Sequence, residues 1–163
     1  MKEKDIAPCG MNCRLCVSYQ AREKDLNSKG FHRSYCPGCI ERGKNCLHMA
    51  DSCKLMRDGT VRFCFECEKY PCPRLKLLDK RYRTRYHMSM IANLDAIRAE
   101  GIDVFLVREK NLWKCPTCSG YICCHNGLCL DCQLDVFKKK KTYCWDDNSV
   151  TIEERSKEDG ATE

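Results

Sequence analysis

Cys115-Pro-Thr-Cys118 and Cys129-Leu-Asp-Cys132 form two CxxC pairs separated by ten residues. A CxxC turn aims two thiolates at one ion while nearby amides hydrogen-bond to the sulfurs. Two such turns facing each other complete an S4 tetrahedron of the kind zinc occupies. The chemistry expected of this segment is closed zinc coordination by Cys115, Cys118, Cys129 and Cys132. Cys123, Cys124 and His125 fall between the pairs and Cys144 lies beyond them, with no role fixed by spacing. His125 is expected in the loop of a ribbon, and Trp113, just ahead of the first pair, is expected to pack over it.

Ten further cysteines precede residue 73: Cys9, Cys13, Cys16, Cys36, Cys39, Cys46, Cys53, Cys64, Cys67 and Cys72. They suffice for two four-ligand sites with two thiols left over. One grouping takes Cys36, Cys39, Cys46 and Cys53; another takes Cys9, Cys13 and Cys16 with one of Cys64, Cys67 or Cys72. Sequence leaves that pairing open. Zinc is the expected metal here too, and a [4Fe–4S] cluster is the alternative. Cys9, Cys13 and Cys16 have the CxxxCxxC spacing of radical-SAM enzymes, and Cys72-Pro73 matches the Cys-Pro end of ferredoxin cluster motifs. The radical-SAM version requires a large α/β barrel, which 163 residues without strand–helix alternation do not supply.

Metal ligation is preferred over disulfides because the N-terminus, Met1-Lys-Glu-Lys-Asp-Ile-Ala-Pro-Cys-Gly10, is charged and has no apolar run of signal-peptide length. A cytoplasmic protein, with thiols kept reduced, is the expectation, and 17 cysteines, an odd number, fit it. No stretch of about 18 apolar residues is present, so no membrane span is expected. Leu, Ile, Val and Phe together number 31, close to the level at which chains fail to bury a sufficient core, so metal is expected to supply part of the fold's stability.

The string Ala7-Pro-Cys-Gly-Met-Asn-Cys-Arg-Leu-Cys16, together with Cys36-Pro-Gly-Cys39 and Cys64-Phe-Glu-Cys-Glu-Lys-Tyr-Pro-Cys72, resembles a functionally uncharacterised cysteine-rich family. It is one of the domains of unknown function common in anaerobic bacteria and archaea. The resemblance spans roughly residues 5 to 80, and Trp113-Lys-Cys-Pro-Thr-Cys118 is similar to a ribbon extension that often follows. It implies a metal-binding domain, usually supposed to hold zinc, and carries no established reaction.

The elements that must position these thiols fall into four segments. An irregular Cys-rich metal-binding module spans 1–72, a helical connector 73–110, a zinc-ribbon module 111–145 and a disordered acidic tail 146–163. In the connector, Leu75, Leu78, Tyr82, Tyr86, Met90, Leu94 and Ile97 recur at steps of three and four, placing them on one helical stripe that Gly101 closes. Pro71 and Pro73 precede or open the helix. A break at Thr84 to Ser89, with Ser89 capping a second helix, is compatible with the pattern, and Asp103 is a plausible N-cap for a third reaching about Lys110. Strands are expected only as short hairpins near the later cysteines.

The four histidines, at 32, 48, 87 and 125, sit in no local catalytic signature, and no glycine-rich phosphate loop is present. Residues 1–145 carry a net charge of +11 against −5 for 146–163. Lys80, Arg81, Arg83 and Arg85 interleave with Tyr82 and Tyr86, and Lys138, Lys139, Lys140 and Lys141 stand beside Tyr143 and Trp145. Cations suit phosphates and the aromatic rings suit bases. The plainer alternative is that the arginines are the solvated face of a helix whose other face is Tyr82 and Tyr86. The sequence therefore predicts a small metal-stabilised α+β protein: a non-catalytic, zinc-binding interaction module with a basic face for nucleic acid or a protein partner. An iron–sulfur redox or sensing protein, with its cluster in the N-terminal module, is the alternative.

Overall fold

The computed structural model describes residues 1–43, 53–140 and 144–145. The expectations placed on Cys46, His48, Lys141, Tyr143 and the tail 146–163 lie outside the described residues. Within them the order is α1 (Val17–Glu23), α2 (Cys39–Arg42), α3 (Lys54–Arg57), α4 (Pro73–Tyr86), α5 (Met90–Glu100), α6 (Ile102–Leu112), the strands β1 (Ile122–Cys123) and β2 (Leu128–Cys129), and α7 (Leu134–Lys139). Short 3-10 turns at Glu3–Asp5, Cys13–Leu15 and Cys64–Glu66 punctuate the N-terminal part. Among the described residues the result is small and helix-rich with one two-stranded sheet. No described helix is long and apolar enough to cross a membrane.

The connector is three helices. Pro73 opens α4 at a position where its missing N–H costs nothing. The helix ends at His87, which adopts a left-handed conformation. Ser89 then caps α5, its hydroxyl accepting a hydrogen bond from the Ala92 amide at 3.0 Å. Gly101, at φ +86°, closes α5 and opens α6 in one residue. Asp103 is therefore not the cap of the third helix; it sits in the first turn of α6, where its negative charge suits the helix N-terminus. Leu75, Tyr86, Met90, Leu94 and Ile97 of the expected stripe are buried, with Leu78 and Tyr82 half-buried.

The main core is shared along the chain rather than split by segment. Ile6, Leu15 and Phe63 from the N-terminal part pack with Leu75, Leu94 and Phe105 of the helices and with Trp113 and Ile122 beside the hairpin. Each fully buried Leu, Ile or Phe contributes about 1.5–3 kcal/mol. A second cluster joins Val17, Ala21 and Leu26 to Phe31, Leu130 and Phe137. Gly10 is where the N-terminal part meets α5: at φ +86°, its missing Cβ would fall 2.9 Å from Leu94 Cγ and against the Met90 carbonyl. Asn93 Nδ2 donates to the Gly10 carbonyl at 2.9 Å, so only a glycine fits that seam.

Candidate metal centre

The hairpin β1–β2 pairs Ile122 with Cys129 and Cys123 with Leu128, and a bridge between Lys114 and Tyr121 continues it outward. This ladder brings the two CxxC turns to one end. The Cys115 turn is closed by the Ser119 amide donating to the Cys115 carbonyl at 3.0 Å, and the Cys129 turn by the Gln133 amide donating to the Cys129 carbonyl at 2.8 Å. Trp113 is buried beside the hairpin, its carbonyl accepting from the Ile122 amide at 2.9 Å. It therefore packs against the hairpin.

The sulfurs of Cys115, Cys118, Cys129 and Cys132 all lie within 4.8 Å of one another. Cys115 Sγ is 4.0 Å from Cys132 Sγ, and Cys118 Sγ is 3.5 Å from Cys129 Sγ. A tetrahedral ion with metal–sulfur bonds of about 2.3 Å sets sulfurs about 3.8 Å apart, so the donor set fits zinc in size, number and softness. Cys115 and Cys129 are buried, Cys118 and Cys132 exposed. Burial pushes the Cys115 thiol up, but the Cys118 and Thr117 amides and the neighbouring thiols more than offset this and bring it to about 7. Gly120 leaves room for the cluster, since a Cβ there would lie 3.3 Å from Cys118 Sγ and against Asp131 Oδ2. Asp131 is itself held by Lys24 Nζ at 2.6 Å, which ties the site to the end of α1.

The cysteines between the pairs have a different environment. Cys123 and Cys124 are wholly buried, and burial raises both thiols above their ordinary value. The Cys124 amide donates to the Leu15 carbonyl at 2.9 Å, locking the hairpin onto the Cys13–Leu15 turn. His125 Nδ1 accepts a long hydrogen bond from the Val17 amide at 3.4 Å and lies 3.4 Å from Cys124 Sγ. Its ring packs on Tyr86, with centroids 4.6 Å apart, and on Tyr82 at 5.8 Å. Burial, with Arg33 and Arg81 nearby, lowers His125 to about 4, so the imidazole is neutral. His125 does lie in the hairpin loop, as a buried wedge against α4 and the start of α1. Spacing gave no hint of that role, although Asn126-Gly127 beside it is a readable turn signal: Gly127 has φ +70° and its Cβ would lie 3.0 Å from the Trp145 ring.

Among the described residues, these N-terminal thiols fall in two neighbourhoods. Cys13 and Cys16 flank one 3-10 turn, and the Cys39 amide donates to Cys13 Sγ at 3.3 Å. The Cys64 amide donates to the Pro8 carbonyl at 2.9 Å, which sets Cys64 beside Cys9. Burial pushes the Cys64 thiol up, followed by the charges of Cys9, Cys53, Cys72 and Cys67 around it. The Cys36-Pro-Gly-Cys39 segment folds back on Cys13 and the start of α1.

Residues 5–77 match a family described as "Protein of unknown function (DUF3795)". The match covers the N-terminal cysteines and the first part of α4, and stops well before the CxxC pairs of the hairpin. No curated protein and no solved structure matches the chain.

On α4, Lys80, Arg81, Arg83 and Arg85 are exposed, while Tyr86 is buried and Tyr82 half-buried. Arg83 Nε pairs with Asp79 Oδ2 at 2.7 Å. Lys138 and Lys139 on α7 are exposed and Lys140 half-exposed. Trp145 is buried, its indole N–H donating to the Cys124 carbonyl at 2.7 Å. Tyr82, Tyr86 and Trp145 thus turn toward the core, while the described cations beside them face outward.

Proposed function

We propose that this protein is a zinc-dependent, non-catalytic binding module. Its zinc would be held in a ribbon by Cys115, Cys118, Cys129 and Cys132, and its partner would be a polyanion met by Lys80, Arg81, Arg83 and Arg85. The observation that carries the metal reading is the gathering of four sulfurs within 4.8 Å from two facing CxxC turns. Four thiolates close a tetrahedron and leave no open position for substrate, which favours a structural ion over a catalytic one. Zinc there would tie the hairpin together through a two-stranded sheet too short to be stable alone. Charge rather than base stacking supports the partner reading, since the tyrosines of the basic helix turn inward. Phosphates of a nucleic acid suit such a face, and an acidic protein surface is the second candidate.

Anaerobic purification without added metal, followed by elemental analysis and a visible spectrum, tests the metal. Zinc in a colourless protein is expected, with at least one equivalent lost in a Cys115→Ser/Cys118→Ser variant. Chelation of reduced protein is expected to lower its melting temperature, because structural zinc in finger peptides contributes on the order of 10–16 kcal/mol apparent. Unchanged circular dichroism and melting after chelation would sink the reading. Iron with sulfide and brown colour would instead move the protein to the iron–sulfur class.

A further inference from the structure

Two loops of the N-terminal part cross beside α1. The Cys13 turn is built like a metal knuckle: the Cys16 amide donates to the Cys13 carbonyl at 2.9 Å, and Asn12 Oδ1 caps the turn through the Arg14 amide at 3.2 Å. Asn12 is fully buried and fixed in turn by Glu109 of α6 at 3.0 Å, so this turn rests on the core. The segment 31–38 has no regular secondary structure, yet it is fastened beside the turn. The Cys36 amide donates to the Ser18 carbonyl at 3.1 Å, two residues beyond Cys16, and Arg33 Nε donates to Ser18 Oγ at 3.1 Å. Gly38, at φ +105°, is buried against the Tyr19 ring, and its missing Cβ would fall 4.0 Å from Cys13 Cβ. The next amide, that of Cys39, donates to Cys13 Sγ at 3.3 Å.

We infer that Cys13, Cys16, Cys36 and Cys39 form a second four-thiolate site for zinc or a similar soft divalent ion. Three independent features converge. The two pairs stand as C-x2-C, nineteen residues, then C-x2-C, within the spacing of known zinc sites and closer to it than the ten-residue gap of the hairpin. A backbone amide from one pair bonds a sulfur of the other, which is how amides support thiolates around a metal. The Arg42 guanidinium lies 3.9 Å from Cys36 Sγ, a positive charge placed to balance an S4 dianion. The hairpin thiols are the group among the described residues whose ligand atoms all lie within 4.8 Å, so the N-terminal four are less preformed. Metal binding there would draw the Cys36–Cys39 loop inward, and this site would empty first under chelation.

Thiol footprinting of the full, reduced, unmutated chain tests the assignment without risk of misfolding. Zinc-loaded protein is treated with iodoacetamide before and during chelation, and each cysteine is read by mass spectrometry. Cys36 and Cys39, which are half-exposed, are expected to resist alkylation when zinc is bound. On chelation they should become reactive together with Cys13 and Cys16, earlier than Cys118 and Cys132. Equal reactivity of Cys36 and Cys39 with and without zinc would overturn the proposal. A Cys36→Ser/Cys39→Ser variant is expected to lose one zinc equivalent and keep the one removed by Cys115→Ser/Cys118→Ser; an unchanged zinc count also overturns it. Failure of the hairpin site would show separately, in Cys118 and Cys132 and in the second variant.

Discussion

Buried His125 is vulnerable to acid, because its environment suits the imidazole only when uncharged. Nδ1 accepts from the Val17 amide and the ring lies between Tyr82 and Tyr86, so a proton at Nδ1 would meet an N–H donor, with Arg33 and Arg81 adding repulsion. With a folded value of about 4 against about 6.5 unfolded, the unfolded chain binds the extra proton between those values. The stabilisation is therefore complete above about pH 6.5 and lost as pH falls toward 4, a change of about 3 kcal/mol. Urea unfolding from pH 7.5 to 4 should show His125→Gln less stable than the unmutated chain at pH 7.5, with the gap narrowing steadily on acidification. Parallel profiles would show that His125 does not titrate between folded and unfolded states. At this scale the sequence was legible where spacing encodes geometry. The CxxC pairs could be read directly, but the inward turn of His125 could not, since it depends on α4 arriving from a distant part of the chain.

Among the elements, the joint between α4 and α5 carries the connector, and it hangs on Asp79. Its Oδ1 accepts from the Ser89 hydroxyl at 2.7 Å and the Ile91 amide at 3.1 Å, while Oδ2 takes Arg83 Nε at 2.7 Å. Burial alone would raise this carboxyl, but the bonds from Ser89, Arg83 and the Ile91 amide outweigh it and hold it below the ordinary range. Its stabilisation is thus present above about pH 4 and lost as acid titrates it. Asp79→Ala should cost about 2–4 kcal/mol, since it leaves the half-buried Ser89 hydroxyl and Ile91 amide and the Arg83 guanidinium without the carboxylate they share. Ser89→Ala, which removes the cap and the hydroxyl's bond to Asp79 but leaves the Arg83 and Ile91 bonds in place, should cost about 1–2 kcal/mol. Denaturant midpoints decide it, and equal costs would mean that Asp79 adds nothing beyond its bond to Ser89. The apolar stripe, the Ser89 cap and the Gly101 stop were all readable, because helix periodicity and capping are local. Asp79 was not, because a buried acid in a helix looks like any solvated one until its partners ten and twelve residues on fold back. Asp103 misled for a related reason: Gly101 already supplied the turn, so α6 began one residue earlier than its best capping side chain.

For the whole molecule, charge is the feature that burial does not consume. Residues 1–145 carry +11 and the segment 146–163 carries −5, and the exposed cations of α4 and α7 remain accessible. An acidic segment tethered to a basic body competes with any polyanion for that body, most strongly when the screening length is long. Removing residues 146–163 should then tighten binding to a nucleic-acid duplex severalfold at about 50 mM salt, with the gain shrinking near 0.5 M. Replacing Lys80, Arg81, Arg83 and Arg85 with Gln should weaken the same binding and flatten its dependence on salt by about 0.9 in log–log slope for each phosphate no longer neutralised. Fluorescence anisotropy with a labelled duplex measures both. If truncation leaves affinity unchanged at low salt while the Gln variant binds more weakly, the basic helix binds but the tail does not compete. If neither change matters and an acidic protein surface binds instead, the outward-facing charges serve a protein partner, and the inward-turned Tyr82, Tyr86 and Trp145 explain why no base is read.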